Sequence, residues 1–339
     1  MSVTIDRSMI ERILVIKLRA VGDVVLSTVV LKNLREAFPG VSLEFLTEKG
    51  GAGILEGNPF LNRLHVYDRR TMTGLRLIRM VRSRRYDLVI DLFGNPRTAL
   101  VTRLSGARYR VGFRFRTRTY AYNIVVEPRG AIVHNTQFNL DALEKIGVPV
   151  IDRSLHIVPG EQEEASVASF WDRQFPSPTP VVALHSGGGW ETKRWPAERF
   201  AALADVLQTQ YHAVVLLPWG PGEEVDVERI RSLMKTEAII PPATNLLELA
   251  ALLRRCSLMV SNDSGPMHIA AAMGTPVLGL FGPTNPRLQG PFGKKVITVR
   301  NEAVECLGCN LTVCPIGNPC MKDLDIQRVL DAIEQLSVL

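Results

Sequence analysis

The chain has 339 residues, of which 46% are hydrophobic and 22% are charged, a composition typical of a globular protein and not of a disordered one. Its length is too great for one ordinary core and suits two domains of about 150 residues each. The net charge of +6 favours acidic partners such as phosphates, anionic glycolipids or nucleic acids, without choosing among them.

No stretch of the sequence predicts export or membrane insertion. The first 18 residues mix Asp, Glu and Arg and lack the apolar segment and small-residue cleavage site of a signal peptide. The longest apolar run, residues 269–282, is shorter than the ~20 residues that span a bilayer and is interrupted by Gly274 and Pro276. We expect a cytoplasmic protein that touches a membrane only at its surface.

Short apolar strands alternate with helical periodicity along the whole chain, which predicts an α/β protein whose parallel sheets are covered by helices. The predicted strands of the first half are 13–18, 42–47, 63–68, 87–92, 107–113 and 123–127. Those of the second half are 181–186, 212–219, 238–241, 257–263, 276–282 and 295–299.

This repeat predicts two Rossmann-like domains. The first covers 1–158, a linker helix with a proline-rich hinge covers 159–180, the second domain covers 181–322, and a final helix covers 323–339. In open α/β sheets ligands bind at the carboxyl ends of the strands, which is where the polar motifs of this chain fall.

The turn after the first strand carries a carboxylate, Asp23. Gly22 before it permits a tight backbone, and an apolar helix is predicted over 24–38. Asp23 acts either as a general base or as a helix cap, and the two roles coexist only in part, because accepting backbone N–H groups lowers a carboxylate's pKa. Lys17 lies at the end of the strand, where a lone lysine is most often a solvated side chain.

Seven arginines crowd between Pro96 and Tyr120. They are Arg97, Arg103, Arg108, Arg110, Arg114, Arg116 and Arg118. Such a set suits a phosphate-bearing or otherwise acidic ligand. A solvated strand face is the plainer alternative, and nucleic acid is disfavoured because no nucleic-acid motif accompanies the arginines.

A glycine-rich loop follows the strand at 181–186. Gly187, Gly188 and the following glycine let backbone N–H groups turn toward an anion, and Lys193 can neutralise that anion's charge. A flexible turn is the alternative. Further along, Glu223 and Glu224 follow a strand at a helix start, where they either reach a ligand or only favour the helix dipole.

The stretch at 261–286 places a polar strand end before a helix of small residues. Asp263 and Ser264 lead into Gly265, whose helix presents unpaired N–H groups and a positive dipole end that attract phosphate. His268 lies one turn into this helix. An ordinary capped turn is the alternative interpretation.

Three motifs in this order resemble those of glycosyltransferase family 9, the ADP-heptose:lipopolysaccharide heptosyltransferases. They read ILVIKLRAVGDVVLSTVVLKNLREAFP at 13–39, LHSGGGWETKRWPAERF at 184–200 and SNDSGPMHIAAAMGTPVLGLFGPTNP at 261–286. The resemblance spans most of the chain. It implies a GT-B-like architecture, in which two Rossmann-like domains face an interdomain cleft.

The resemblance also implies roles for individual residues. Asp23 would be the catalytic base of an inverting transfer, and Lys193 would stabilise the leaving diphosphate. Donor binding would fall to Ser186, Gly187, Gly188, Glu223 (or Glu224), Asp263, Ser264, Gly265 and His268. An acidic, phosphate- or Kdo-bearing acceptor would be bound by Lys17, Arg97, Arg114 and Arg116. The triple glycine departs from family members that use hydroxyl side chains there, and Ser186 could supply one.

Catalysis should need no cofactor or metal, since no DxD pair ends a strand and the triplet at 323–325 is predicted to cap a helix. Cys256 is predicted to be a core residue. Four further cysteines, Cys306, Cys309, Cys314 and Cys320, are closer together than the ligand pairs of most zinc sites. Free thiols, zinc, an iron–sulfur cluster and a disulfide all stay open, although a cytoplasmic chain disfavours disulfides.

The sequence therefore predicts transfer of heptose from ADP-heptose to a lipopolysaccharide inner-core acceptor, by an enzyme peripheral to the cytoplasmic face of the inner membrane, with no nucleic-acid partner. Three alternatives remain: a glycosyltransferase for another nucleotide sugar, a sugar-nucleotide epimerase, and a catalytically idle sugar-nucleotide-binding protein.

Overall fold

A computed structural model describes residues 5–339 of the protein. At Arg116 it describes the backbone but not the side chain. The chain divides into two compact units between Val158 and Pro159, here called unit 1 and unit 2. Each unit is built on one parallel sheet with helices on its faces.

Unit 1 has six parallel strands in the order β3-β2-β1-β4-β5-β6. The strands are β1 Arg12–Ile16, β2 Ser42–Glu48, β3 Arg63–Tyr67, β4 Leu88–Asp91, β5 Tyr109–Phe113 and β6 Ile124–Val126. The helices are α1 Val21–Ser27, α2 Val29–Ala37, α3 Lys49–Ala52, α4 Gly74–Ser83, α5 Pro96–Leu104 and α6 Asn135–Lys145.

Local sequence explains these elements. In β1, four apolar residues in succession are buried, as expected for a central strand covered on both faces. Helix α5 begins where Asn95 accepts the N–H of Thr98 and Pro96 occupies the first turn. Helix α4 begins at Thr73, which accepts the N–H of Arg76, and buries Leu77 and Val81.

Unit 2 has five parallel strands in the order β11-β10-β9-β7-β8. The strands are β7 Val181–His185, β8 Val214–Leu216, β9 Leu258–Asn262, β10 Val277–Phe281 and β11 Val296–Arg300. The helices are α7 Glu161–Gln174, α8 Ala197–Thr209, α9 Glu224–Leu233, α10 Leu246–Arg254, α11 Gly265–Ala272, α12 Pro286–Gln289, α13 Pro319–Lys322 and α14 Ile326–Leu336.

The helices at the two ends of unit 2 pack on it. Helix α7, predicted as a linker, is joined to α10 by an ion pair of 2.7 Å between Arg254 and Glu164. Helix α14 buries Val329 and Ile333 in the core of unit 2. As predicted from the acidic triplet, Asp325 caps this helix by accepting the N–H of Gln327. The hinge assigned to the proline-rich segment stays a prediction.

The predicted α/β class with two Rossmann-like folds is confirmed, with one strand wrong. Residues 238–241 form only an isolated bridge between Ile239 and Leu216, the last residue of β8, and do not extend the sheet as a further strand. One helix boundary also differs, since the helix after β1 begins at Val21 and a break at Thr28 separates α1 from α2. Asp23 thus lies within the first helical turn and not before it.

Each sheet has one point where consecutive connections leave toward opposite faces, and ligands bind in the crevice that opens there. In unit 1 this switch point lies between β1 and β4, and in unit 2 it lies between β7 and β9. Both points are flanked by residues that the sequence singled out.

Candidate active site

At the switch point of unit 2, Lys193 and Asp263 form an ion pair. Lys193 Nζ lies 2.7 Å from Asp263 Oδ2, and both side chains are largely buried. Asp263 also accepts a hydrogen bond of 2.7 Å from the Thr284 hydroxyl, and the ammonium lies 4.5 Å from the centre of the Trp190 ring. These contacts hold a cation at the carboxyl end of the sheet.

A second polar chain links three loops of the same edge. His185 Nε2 lies 3.4 Å from Glu223 Oε2, and His185 Nδ1 lies 3.4 Å from the Ser264 hydroxyl. With Nε2–H donated to the carboxylate, Nδ1 accepts from Ser264. The hydrogen bond from His185 lowers the pKa of Glu223 below its ordinary value, against the effect of burial, so this carboxylate is held ionised.

Gly187 is required by the close approach of its neighbours. A Cβ at this position would overlap the Glu223 carboxylate and lie 2.6 Å from His185 Cε1. Gly188 and Gly189 are not constrained in this way, since a Cβ there meets only ordinary contacts or open space. The first glycine of the loop therefore serves packing in the site, whereas Gly188 is buried without such a constraint and Gly189 is exposed.

The two loops at this edge are tied together by Asn262. Its amide donates to the Ser186 carbonyl at 2.7 Å, and its carbonyl oxygen accepts the Trp195 N–H at 3.1 Å. The Ser186 hydroxyl is buried and has no hydrogen-bond partner among the described residues. Residue Ser186 also lines a cavity of 510 Å³ with Thr192 and Arg194. A buried hydroxyl of this kind can be satisfied by a ligand oxygen.

Helix α11 begins at Gly265, as its sequence indicates. Its N-cap residue, Ser264, makes no side-chain hydrogen bond to the helix, because its hydroxyl is directed toward Ser261 and His185. The first-turn N–H groups are therefore not occupied by the cap, and the dipole adds partial positive charge. His268 is buried on this helix.

The structure distinguishes Glu223 from Glu224, between which the sequence did not choose a ligand-binding residue. Glu223 is the N-cap residue of α9, and only 21% of its side chain is exposed beside His185. Glu224 begins the helix proper and is exposed. Of the two glutamates, only Glu223 belongs to the polar cluster formed with His185, Lys193, Asp263 and Ser264, here called the donor cluster after the role that the sequence resemblance implies.

At the switch point of unit 1, Lys17 and Asp23 lie together. Asp23 Oδ2 accepts the N–H of Ala20 at 3.1 Å, and its Oδ1 lies 3.7 Å from Lys17 Nζ. The Lys17 side chain is 9% exposed and donates to the Leu92 carbonyl, whereas Asp23 is 36% exposed. The carboxylate is thus accessible from solvent beside a buried cation, with one backbone hydrogen bond orienting it.

Asp91, at the end of β4, supports the loop that holds Lys17. It accepts the N–H groups of Phe93 and Gly94, at 3.0 and 2.9 Å, and the Tyr122 hydroxyl at 2.9 Å. Burial raises the pKa of Asp91, although each of these hydrogen bonds acts in the opposite direction. Its position at a strand end was the one feature of the sequence that could have indicated this residue.

Two of the three predicted acceptor-binding arginines, Arg97 and Arg114, have protein partners. Arg97 stacks on Tyr67, with 5.4 Å from its guanidinium carbon to the ring centre, and lies 4.0 Å from Glu48. Arg114 is exposed and forms two hydrogen bonds of 2.6 Å with Glu127. The side chain of Arg116 lies outside the described part of the structure. Their acceptor role stays a prediction.

The segment that carries Cys306, Cys309, Cys314 and Cys320 is hydrogen-bonded to the residues that follow β10, close in sequence to Thr284, the partner of Asp263. Backbone N–H groups of Gly308 and Asn310 donate to the carbonyls of Gly282 and Pro283, which precede Thr284. Cys306 and Cys309 are exposed, whereas Cys320 is buried. Burial, with a smaller effect of the other three thiols, raises the pKa of Cys320 to about 11.

The described residues show neither a metal-binding group nor a membrane-spanning helix. Across residues 5–339 no set of three or more His, Cys, Asp or Glu side chains is arranged to hold a metal ion, and the zinc hypothesis stays a prediction. Cys256 is buried, as predicted. None of the helices in the described part of the chain combines the length and apolarity that a bilayer crossing requires.

Residues 74–318 match the family model described as glycosyltransferase family 9 (heptosyltransferase). The chain belongs to this family. It is therefore a glycosyltransferase of the heptosyl-transferring class, as its three motifs predicted.

Curated relatives and solved structures agree with this assignment. The chain is 28% identical to lipopolysaccharide heptosyltransferase 1 of Pseudomonas aeruginosa, over 89% of this chain and 87% of that one. It is similar to a family 9 glycosyltransferase structure from Veillonella parvula, with a TM-score of 0.84, 27% identity and coverage of 96% and 97%. An Escherichia coli heptosyltransferase WaaC solved with ADP has a TM-score of 0.73 at 22% identity, with coverage of 96% and 99%. These likenesses confirm the predicted GT-B-like fold class.

Proposed function

We propose that this protein transfers heptose from ADP-heptose to a lipopolysaccharide inner-core acceptor, with inversion at the anomeric carbon. The donor cluster of unit 2 carries the proposal, because it sets a lysine–aspartate pair beside a helix N-terminus whose first turn is not capped by a side chain. The names of the curated relatives support the acceptor, and the structure solved with ADP supports the nucleotide.

The donor diphosphate would lie against Lys193 and the first turn of α11. Backbone N–H groups of Gly187 and Gly188 and the Ser186 hydroxyl would complete its contacts. Glu223, which His185 holds ionised, would accept hydrogen bonds from the ribose hydroxyls of the donor. Glu224 lies outside the donor cluster, which favours Glu223 for this contact.

The reaction needs one base and one stabilised leaving group. Asp23 would take the proton of the acceptor hydroxyl as its oxygen bonds to the anomeric carbon. The bond between that carbon and the diphosphate oxygen breaks, and ADP leaves with the electron pair. Attack from the face opposite ADP inverts the configuration. Lys193 and the α11 dipole would stabilise the charge that develops on the diphosphate.

We propose that no divalent metal takes part, because Lys193 and the helix dipole occupy the role that a metal would have. Turnover is expected to survive EDTA. Loss of activity that magnesium restores would contradict this mechanism, and slow loss that only zinc restores would implicate the cysteine segment instead.

Unit 1 would bind the acceptor through Lys17 and three arginines, Arg97, Arg114 and Arg116. Because a lipopolysaccharide precursor is anchored in the inner membrane, the enzyme would work as a peripheral protein on the cytoplasmic face. Nothing in this proposal requires a nucleic acid.

The decisive experiment incubates the purified protein with ADP-heptose and a series of truncated lipopolysaccharides and measures ADP release and acceptor mass. A transferase releases ADP only with an acceptor. An epimerase converts the donor alone, and an idle binding protein converts nothing. ADP-sugars should raise the melting temperature more than UDP-sugars do, and equal protection by UDP would contradict the ADP assignment.

A further inference from the structure

The charge of this chain is concentrated in one segment. Residues 69–126 contain fourteen arginines, no lysine and only two acidic residues, Asp87 and Asp91, which gives a net charge of +12. The whole chain carries +6, so all the remaining residues together carry −6. Part of this charge is neutralised by carboxylates outside the segment, Glu44, Glu48 and Glu127, so only the arginines without such a partner are available to an anionic ligand.

Two helices of this segment expose four of its fourteen arginines. Helix α4 buries Leu77 and Val81 against the sheet of unit 1. Its opposite face exposes Arg76, Arg79 and Arg82.

Helix α5 packs beside α4 and continues this face. It exposes Arg103, and the Arg82 guanidinium donates to the Leu104 carbonyl at 3.4 Å, which joins the two helices. The four arginines Arg76, Arg79, Arg82 and Arg103 thus lie on one side of unit 1.

Three leucines lie among these arginines and are exposed to solvent. The exposed fractions are 57% for Leu75, 43% for Leu100 and 38% for Leu104. The four arginines and three leucines are here called the α4–α5 surface. It combines cations with apolar side chains, as interfacial helices on membranes do.

The arginines of the α4–α5 surface have no internal counter-charge. Within residues 5–339, none of them forms an ion pair with a carboxylate. Other arginines of unit 1 do, as shown by Arg84 with Glu44, Arg114 with Glu127 and Arg129 with Asp141. The charge of the α4–α5 surface is therefore available to an external anion.

We propose that the α4–α5 surface docks unit 1 on an anionic phospholipid bilayer. The arginines would contact lipid phosphates while the leucines enter the headgroup boundary. The exposed leucines favour a bilayer over a nucleic acid, because apolar side chains are buried when they enter the boundary between lipid headgroups and acyl chains, whereas nucleic-acid phosphates contact only the arginines. This inference rests on the proposed function, since it names the surface by which the enzyme would reach a membrane-anchored acceptor.

The test uses the full-length protein and vesicles of phosphatidylglycerol mixed with phosphatidylcholine. Binding is measured by flotation at low and at physiological salt, with pure phosphatidylcholine vesicles as the neutral reference. The parent should bind the anionic vesicles and not the neutral ones, and salt should weaken binding because surface charges are screened. Absence of binding to the anionic vesicles, or equal binding to the neutral ones, would overturn the proposal.

Variants locate the interaction. R76E/R79E should weaken vesicle binding at least about tenfold, since both charges are reversed on the surface. The matched control, K235E/R328E, makes the same charge change at exposed positions of unit 2 and should bind within about twofold of the parent. L75S/L100S removes apolar contact without changing charge and should also weaken binding. Equal loss in the control, or none in R76E/R79E, would place the contact elsewhere.

Two parallel measurements distinguish membrane docking from a loss of activity and from nucleic-acid binding. Heptose transfer to a deacylated, water-soluble acceptor should be unchanged in R76E/R79E, because the substitutions are outside the proposed catalytic groups. If the parent shows no transfer while vesicle binding follows the variants as expected, only the proposed function is wrong. Tighter binding of RNA or duplex DNA than of vesicles at the same ionic strength would overturn the lipid assignment in favour of a nucleic acid.

Discussion

The two sheet edges that carry the candidate residues differ in how completely the protein holds each functional side chain. In the donor cluster of unit 2, Asp263 and Glu223 each have side-chain partners and are mostly buried. In unit 1, Asp23 has one backbone hydrogen bond, a lysine at 3.7 Å and 36% exposure. Groups that bind a fixed ligand benefit from preorganisation, whereas a base must remain open to a hydroxyl proton.

Unit 1 itself contains a carboxylate with the opposite character. Glu44 on β2 is fully buried and accepts hydrogen bonds from His65 at 2.6 Å, from Tyr86 at 2.7 Å and from Arg84. Burial alone would raise its pKa, but the three hydrogen bonds together outweigh burial and hold the pKa well below its ordinary value. We assign Glu44 to stability, because nothing from solvent can reach it.

Asp23→Asn should have the largest effect on transfer. The amide oxygen can still accept the Ala20 N–H, so the fold and donor affinity should persist, but the side chain can no longer take a proton. We expect kcat to fall by about 10²- to 10⁴-fold. Calorimetry with ADP and an ADP-release assay measure the two quantities separately. Transfer within a few-fold of the parent would show that Asp23 only caps the helix.

Lys193→Ala should come next and should affect binding and turnover together. The ammonium would meet the diphosphate both before and during departure, so donor affinity and kcat should both fall. We expect kcat/KM to decrease by roughly 10²- to 10³-fold, which is the range for loss of one group that stabilises charge in the transition state. Lys235→Ala, at an exposed site, is the control. A normal donor affinity in Lys193→Ala would contradict the proposed ground-state contact.

Gly187→Ala tests whether the donor cluster is preorganised. The added methyl would displace the Glu223 carboxylate or the His185 ring, so ADP affinity should fall by roughly tenfold, which is about 1.4 kcal/mol. Gly189→Ala is the matched control, because a Cβ there meets nothing within 4 Å, and its affinity should stay within about twofold of the parent. If the two variants bind ADP equally, the packing around Gly187 does not matter for the donor.

Glu44→Gln should have the smallest effect on catalysis and a clear effect on stability. Removing a buried, paired charge is expected to reduce the free energy of unfolding by about 3 kcal/mol, with donor affinity unchanged. Because the folded pKa is lowered, the contribution is present above the ordinary glutamate value of 4.5 and is lost as the pH falls below it. Urea unfolding at neutral and acidic pH measures the free energy of unfolding of the parent and the variant. The difference between these two free energies should become smaller as the pH falls. A constant difference would argue against an ionised Glu44.

The sequence predicted most strands because apolar runs between turn residues are local signals. It failed at 238–241, where Ile239 finds one bridge and no ladder. It also placed Asp23 before the helix, since the start at Val21 depends on the Ala20 backbone and not on a recognisable capping side chain. The first error concerns pairing with a distant strand, and the second concerns a local helix start that no capping side chain announces.

The same distinction applies to the site. Lys193, Asp263, Ser264 and Gly265 lie in motifs that the sequence displays. His185, Asn262 and Asp91 were missed as site residues because their partners are far along the chain. The hydrogen bond between His185 and Ser264 joins residues 79 positions apart in the sequence. The corresponding separations are 76 positions for Asn262 and Ser186 and 31 positions for Asp91 and Tyr122. A polar residue at a strand end was the one available signal, and many residues without function share it.

By itself, the sequence determined the alternation of strands and helices, the cap of the final helix at 323–325, and the family, because these depend on neighbours within a few residues or on contiguous motifs. Only the tertiary structure decided that Glu223 and not Glu224 joins the donor cluster, that Gly187 must lack a side chain, and that Lys193 pairs with Asp263. The physical reason is the parallel sheet, which brings the carboxyl ends of distant strands to one edge and thereby selects which polar groups meet.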